Sequence, residues 1–225
     1  MTKYQELKEE LTGVLSGRVS RILDSFTPLL VFLIVTPIFG LNIAIYTALG
    51  LAALLAVLRI LRRESLVYAL GGLGGVGLAA VFALLSGSGR GFFLPGLISG
   101  TVTVVLCVVS VALNRPLVAW TSFVTRRWPL EWYWHARVLP AYNEVTIGWA
   151  VAFAGRLALE FWLYQQDALG ALGTARIILG WPFIIFLLVT TYLYGMWRLR
   201  RLGGPSVQEF KEGEAPPWEG QKRGF

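Results

Sequence analysis

Histidine and cysteine are almost missing from this sequence: His135 and Cys107 are the only ones among 225 residues. A lone cysteine excludes an intramolecular disulfide and a CxxC metal knuckle. A lone histidine, even with Glu131 one helical turn earlier, supplies at most two metal ligands, fewer than a stable zinc site uses. An intramembrane serine protease needs a histidine on a membrane helix near a GxSG serine. Here His135 lies in a polar connection, and Gly96-Leu97-Ile98-Ser99-Gly100 has a different spacing. Walker A, HExxH and GxSxG patterns are absent as well. The expectation is a protein that is not an enzyme and holds no cofactor or metal. Charge is also scarce, at 15% of residues, and Glu6, Glu9 and Glu10 stand where a cleavable signal peptide would carry positive charge.

Apolar residues fill the space left by these absences. They make up 56% of the chain, with a mean hydropathy of +0.63, more than a soluble domain of this size could bury. They fall in six runs, 22–39, 41–58, 66–85, 92–113, 145–164 and 177–197, each long enough to cross about 30 Å of hydrocarbon as a helix. The reading is an all-α, polytopic membrane protein with six transmembrane helices in residues 22–202.

The basic residues orient it. Lys3, Lys8, Arg18 and Arg21 precede the first run, and Arg59, Arg62 and Arg63 follow the second. Arg115, Arg126, Arg127 and Arg137 follow the fourth, and Arg198, Arg200, Arg201, Lys211, Lys222 and Arg223 follow the sixth. Only Arg90 and Arg176 lie on the opposite side, two against seventeen. Cytoplasmic loops retain positive charge, so both termini are expected in the cytoplasm of a cell-membrane protein. The net charge of +7 is then directed at anionic lipid headgroups of the cytoplasmic face, with no nucleic-acid partner implied.

Residues 1–21 form an expected cytoplasmic amphipathic helix: Tyr4, Leu7, Leu11, Val14 and Leu15 share a face, and Thr2 with Gln5 is spaced as a capping box. Such a helix can lie on the membrane surface or dock a partner. Gly40 and Asn42 leave almost no loop between the first two runs. Gly71, Gly72, Gly74, Gly75 and Gly77 crowd the third run without the strand and lysine of a phosphate loop. Spaced as Gly71 and Gly75, or Gly96 and Gly100, they read as close-packing positions between helices. The connection 114–144 sets Trp120, Phe123, Trp128, Trp132, Tyr133 and Trp134 among arginines, a composition suited to the headgroup zone. Arg115, Pro116, Trp128, Trp132 and Trp134 form a candidate cytoplasmic interface, either a surface anchor or a recognition face. Residues 203–225 turn to glycine, proline and charge and read as a disordered cytoplasmic tail.

Two charges lie inside the fifth run. Counted from Val145, Arg156 is about 16 Å and Glu160 about 22 Å along a helix, on one face at i, i+4. Charges at that depth must face protein or water. Pro37, Pro95 and Pro182 fall toward the outer leaflet, where each frees the carbonyl four residues earlier, and Asp167 and Arg176 border that level. The candidate polar site is therefore Arg156, Glu160, Arg176, Asp167, Pro95 and Pro182, as an outward-opening pocket or as a charge network that fixes helix register. Comparable prolines, Pro28 and Pro95, and three runs per half leave an inverted internal repeat open.

Phe92-Phe93-Leu94-Pro95-Gly96, Asn114-Arg115-Pro116-Leu117, Trp149 with Arg156 and Leu163-Tyr164, and Arg176 with Leu179-Gly180-Trp181-Pro182 together carry a resemblance. Over residues 24–202 the chain resembles an uncharacterised family of bacterial integral membrane proteins, common in actinobacteria and distantly similar to intracellular septation protein A. Septation protein A typically has Lys-Pro at the position of Arg115-Pro116, and an Asn and Trp pair resembling Asn143 and Trp149. The resemblance implies a small inner-membrane protein without known chemistry, a scaffold or interaction partner of other envelope membrane proteins. The alternative is a small transporter or channel with an outward-facing polar pocket around Arg156 and Glu160, in which Arg156 holds an anion or carboxylate.

Overall fold

The computed structural model describes residues 26–63, 65–222 and 224–225. The expected amphipathic helix 1–21, its capping box and the start of the first run lie outside the described residues. Among those described, the chain is all-α with no strand. Among the described residues, five helical stretches, two of them made of successive helical pieces, are long and apolar enough to cross a membrane: Leu41–Leu61, Ala69–Ser86, Gly89–Ala112, Leu139–Gln165 and Leu169–Leu202. The first helix, α1 (Phe26–Phe39), is apolar but short of a full crossing over its described length.

The chain divides into two compact units, residues 1–96 with 162–181, and residues 97–161 with 182–225. In the first, α1 gives way to α2 (Leu41–Leu61) through Gly40 alone, whose φ of 83° lies where glycine is favoured. The Gly40 amide still donates to Thr36 O, and Gly40 O accepts from Ala44, so two helices meet with no loop between them. A stripe of Ala44, Ala48, Ala52 and Ala56 buries one face of α2, and Ala69, Ala79, Ala80 and Ala83 are buried on α3 (Leu66–Ser86). Alanines at four-residue spacing let membrane helices approach closely. Gly87 caps α3 in the left-handed region, and a 3-10 turn, Gly89–Phe93, follows. Gly91 is obligatory there, since a Cβ would strike Phe82 O and Ala83 Cα. The turn places Phe92 stacked on Phe32 at 4.2 Å, in a core completed by Ile45, Phe93 and Leu172.

The sequence placed the close-packing role on the glycines of α3, and the structure moves it to the alanines. A Cβ on Gly71, Gly74, Gly75 or Gly77 would meet no atom within 4 Å. The expectation does hold further on, where Gly100 of α4 (Leu94–Ala112) brings Leu157 to 3.3 Å of the position a Cβ would take.

The sixth run also differs. It reads as one helix over 177–197, but α8 (Leu169–Ile178) ends and α9 (Trp181–Leu202) begins anew. Pro182 has no amide to donate and suits the first turn of a helix, so the chain restarts there instead of kinking. The fifth run begins six residues earlier than its apolar stretch, as α7 (Leu139–Gln165), because Pro140 likewise tolerates the first turn.

In the second unit the connection 114–144 folds into α5 (Leu117–Arg126), α6 (Leu130–Tyr133) and the start of α7. The expected disorder of 203–225 is corrected as well. Ser206 and Glu209 form a reciprocal capping box at the head of α10 (Val207–Glu212), closed by Gly213 in the left-handed region. Glu209 also accepts the amides of Glu219 and Gly220, tying the following turns to α10. The glycines that read as disorder shape these turns: Gly203, Gly213, Gly220 and Gly224 all have positive φ. Aromatic anchors supply the burial, with Phe225 stacked on Tyr142 at 4.3 Å and its ring occupying the space a side chain on Gly195 would need.

Candidate functional site

Arg156 and Glu160 pair as their spacing on α7 requires. Arg156 Nε donates to Glu160 Oε1 at 2.8 Å, and Glu160 is only 3% exposed. The guanidinium also faces the Phe183 ring at 6.0 Å, one residue beyond Pro182. These residues belong to the second unit. Pro95, Asp167 and Arg176 belong to the first, so the six candidates divide into two groups.

In the first unit Asp167, with φ of 55°, lies 3.8 Å from Arg90, whose guanidinium also covers the Tyr164 ring at 5.3 Å. Arg176 reaches from α8 to the first turn of α4. Its guanidinium fills the space a side chain on Gly96 would take and lies 5.9 Å from the Phe93 ring. Gly96 next to Pro95 is thus a seat for an arginine.

The candidate cytoplasmic interface is rearranged. Trp132 is fully buried, and its indole N–H donates to Pro205 O at 2.9 Å; Pro116 is buried too. Neither can present itself to a partner, because the folded tail covers the one and α5 begins at the other. Trp132, Tyr133 and Tyr142 form edge-to-face contacts at the centre of the unit's core. The Tyr133 hydroxyl pairs with Ser122 Oγ at 3.2 Å, and burial pushes its phenol up from the ordinary value. The remaining interface residues stay near the surface as cation-π pairs: Arg115 over Trp134 at 4.4 Å and Arg126 over Trp128 at 4.9 Å. Arg137 over Trp218 at 5.6 Å extends the pattern onto the tail. Beside it His135 is flanked by Phe210 and Trp218, and its Nδ1 accepts the Arg137 amide. Burial and then the Arg137 charge hold this imidazole below its ordinary pKa, in the neutral form.

One strong contact was missed. Glu144 receives Arg198 Nε and Nη2, each at 2.7 Å, and the Tyr194 hydroxyl at 2.8 Å, clamping α7 to α9. The signal was available: an acid at the start of the fifth run and a base at the end of the sixth lie at the same level of antiparallel helices.

The apolar helices, the arginine pairs at their ends and the buried Arg156–Glu160 pair define the class as a multi-pass membrane protein with a charge pair buried along one of its apolar helices. The chain belongs to the family described as Protein of unknown function (DUF3159), matched over residues 16–201. That span ends at Arg201, so α10 and its turns follow the matched region. No curated protein and no solved structure matches the chain.

Proposed function

We propose that this chain is a non-catalytic interaction protein of the cell membrane, its second unit a rigid platform for other envelope proteins at the anionic headgroup surface. The observation that carries the reading is the joint folding of the connection and the tail around Trp132. That arrangement is supported by the indole bond to Pro205 and by the Phe225 stack on Tyr142, and it leaves three arginine–tryptophan pairs at the periphery. Flat amphipathic rings backed by guanidinium groups suit a surface where apolar and anionic groups alternate. The excess of basic residues at these helix ends supports a cytoplasmic setting with both termini inside. The envelope and septation context comes from the resemblance and is part of this proposal. Transport around Arg156 and Glu160 has less support, because at 2.8 Å the two groups neutralise each other.

Crosslinking in native membranes followed by co-purification tests the platform. The double variant Arg115→Ala with Trp134→Ala is expected to lose the partners captured by the wild type while the chain stays in the membrane. Arg156→Gln is expected to retain them at whatever level of protein accumulates. The reverse ranking overturns the proposal.

A further inference from the structure

The C-terminal half of α9 carries two parallel rows of side chains at four-residue spacing: Tyr192, Met196 and Arg200, and Leu193, Trp197 and Arg201. Residues four apart are neighbours on a helix face, so each row passes from an aromatic or aliphatic side chain to a guanidinium over about 12 Å of helix axis. Together the rows line an open cleft of about 440 Å³ in the second unit. Lys222 completes the lining, brought to α9 by the fold of the tail.

Three arginines stand at this end of α9, and their contacts differ. Arg198 is taken by Glu144 through two bonds of 2.7 Å. Arg201 stacks on Trp197 at 4.5 Å, a contact made by the face of the guanidinium. The N–H donors lie in the guanidinium plane, where they can still reach an anion. Arg200 is exposed beside it. Lys222 pairs with Glu219, but the two side chains are 69% and 77% exposed, so the pair is weak and the ammonium keeps further donors. Among the described residues that line the cleft, none is acidic.

We infer that this cleft holds the headgroup of one anionic phospholipid, with its phosphodiester at Arg200, Arg201 and Lys222 and the start of its acyl chains along Tyr192, Leu193 and Met196. Guanidinium forks match phosphate oxygens in pairs. The change from cationic to apolar along α9, a helix apolar enough to cross a membrane, follows the order of groups in a phospholipid from headgroup to chain. A soluble phosphate ester would leave the apolar end of both rows uncovered. A cleft whose lining offers cations and no carboxylate favours a headgroup without an ammonium group, such as phosphatidylglycerol, over phosphatidylcholine. The inference rests on the proposed placement of the second unit at an anionic headgroup surface and needs no protein partner.

The test titrates the delipidated full chain in detergent with phosphatidylglycerol or phosphatidylcholine and counts bound lipid by native mass spectrometry. The wild type is expected to retain one phosphatidylglycerol at concentrations where phosphatidylcholine is lost. Arg200→Gln with Arg201→Gln removes charge-assisted hydrogen bonds and is expected to weaken retention by roughly tenfold or more. Arg62→Gln with Arg63→Gln removes the same charge beyond the end of α2, in the other unit, and is expected to leave retention unchanged. Trp197→Ala keeps every charge but takes away the ring under Arg201, and is expected to weaken retention severalfold. All five positions are exposed, so these variants are expected to fold. Equal retention of the two lipids, equal loss in the two double variants, or unchanged retention in Trp197→Ala overturns the inference. So does displacement of the lipid by an equal concentration of free glycerol 3-phosphate. Partner capture lost with lipid retention intact would overturn the platform alone, and partner capture intact without lipid preference would overturn this site alone.

Discussion

Trp132 illustrates how a single side chain can be read correctly for chemistry and wrongly for place. An indole among arginines suits an interface, yet its N–H finds Pro205 O, seventy-three residues away in sequence, and the ring disappears into the core. Trp132→Phe keeps the ring burial and leaves the Pro205 carbonyl without that donor. It is expected to loosen the tail by about 1–3 kcal/mol, measured as faster proteolysis beyond Leu202 at unchanged membrane content. On α3 the prediction has the opposite sign. Gly74→Ala meets open space and gains helix propensity, so the chain's Tm is expected to hold or rise by the equivalent of up to about 1 kcal/mol, while Gly91→Ala collides with α3 and lowers it. For the buried pair, Arg156→Gln removes a charge-assisted hydrogen bond to a buried carboxylate, a loss of about 1.5–3 kcal/mol. The double variant with Glu160→Gln should recover part of that loss in thermal melts, since it also removes the carboxylate that has lost its Arg156 donor.

Helices were legible in the sequence wherever an apolar run ended at a glycine or a charge cluster. α2 and α3 begin at their predicted residues, and the one-residue hinge at Gly40 follows from Gly40-Leu41-Asn42. Prolines were harder to place, because a missing amide can either kink a helix or start one. Pro182 starts α9, which local periodicity could not distinguish from an interruption of a longer span. The tail was misread because its order comes from contacts distant in sequence, and composition records none of them. The Arg156–Glu160 pair was legible as i, i+4 spacing, whereas the seat of Arg176 at Gly96 joins residues eighty apart and left no local trace. The tail also carries a pH dependence. His135 has a folded pKa below its unfolded value, so the docked tail is favoured above the unfolded pKa of about 6.5 and weakens as pH falls through the lowered folded value. Trp218 fluorescence is expected to report undocking on acidification below that range, and His135→Phe should remove the dependence.

For the molecule as a whole, each unit has its own hydrophobic core. Truncation after Leu202 strips Phe225 and Pro205 from the second core and exposes Trp132, Tyr133 and Tyr142. Hydrogen exchange is expected to rise in α5, α6 and the first turns of α7, and to stay unchanged in α2 and α3. Equal deprotection of α2 and α3 would contradict this expectation.

At 27 residues α7 is about 40 Å long, some 10 Å more than the hydrocarbon slab it would cross. Its surplus begins at Leu139 and ends near the Glu144–Arg198 clamp, where two helices are pinned at one level. A thicker bilayer would draw that ion pair toward the acyl chains, and a thinner one would release it into water. The clamp therefore acts as a depth gauge, and the strength of the α7–α9 junction should follow lipid chain length.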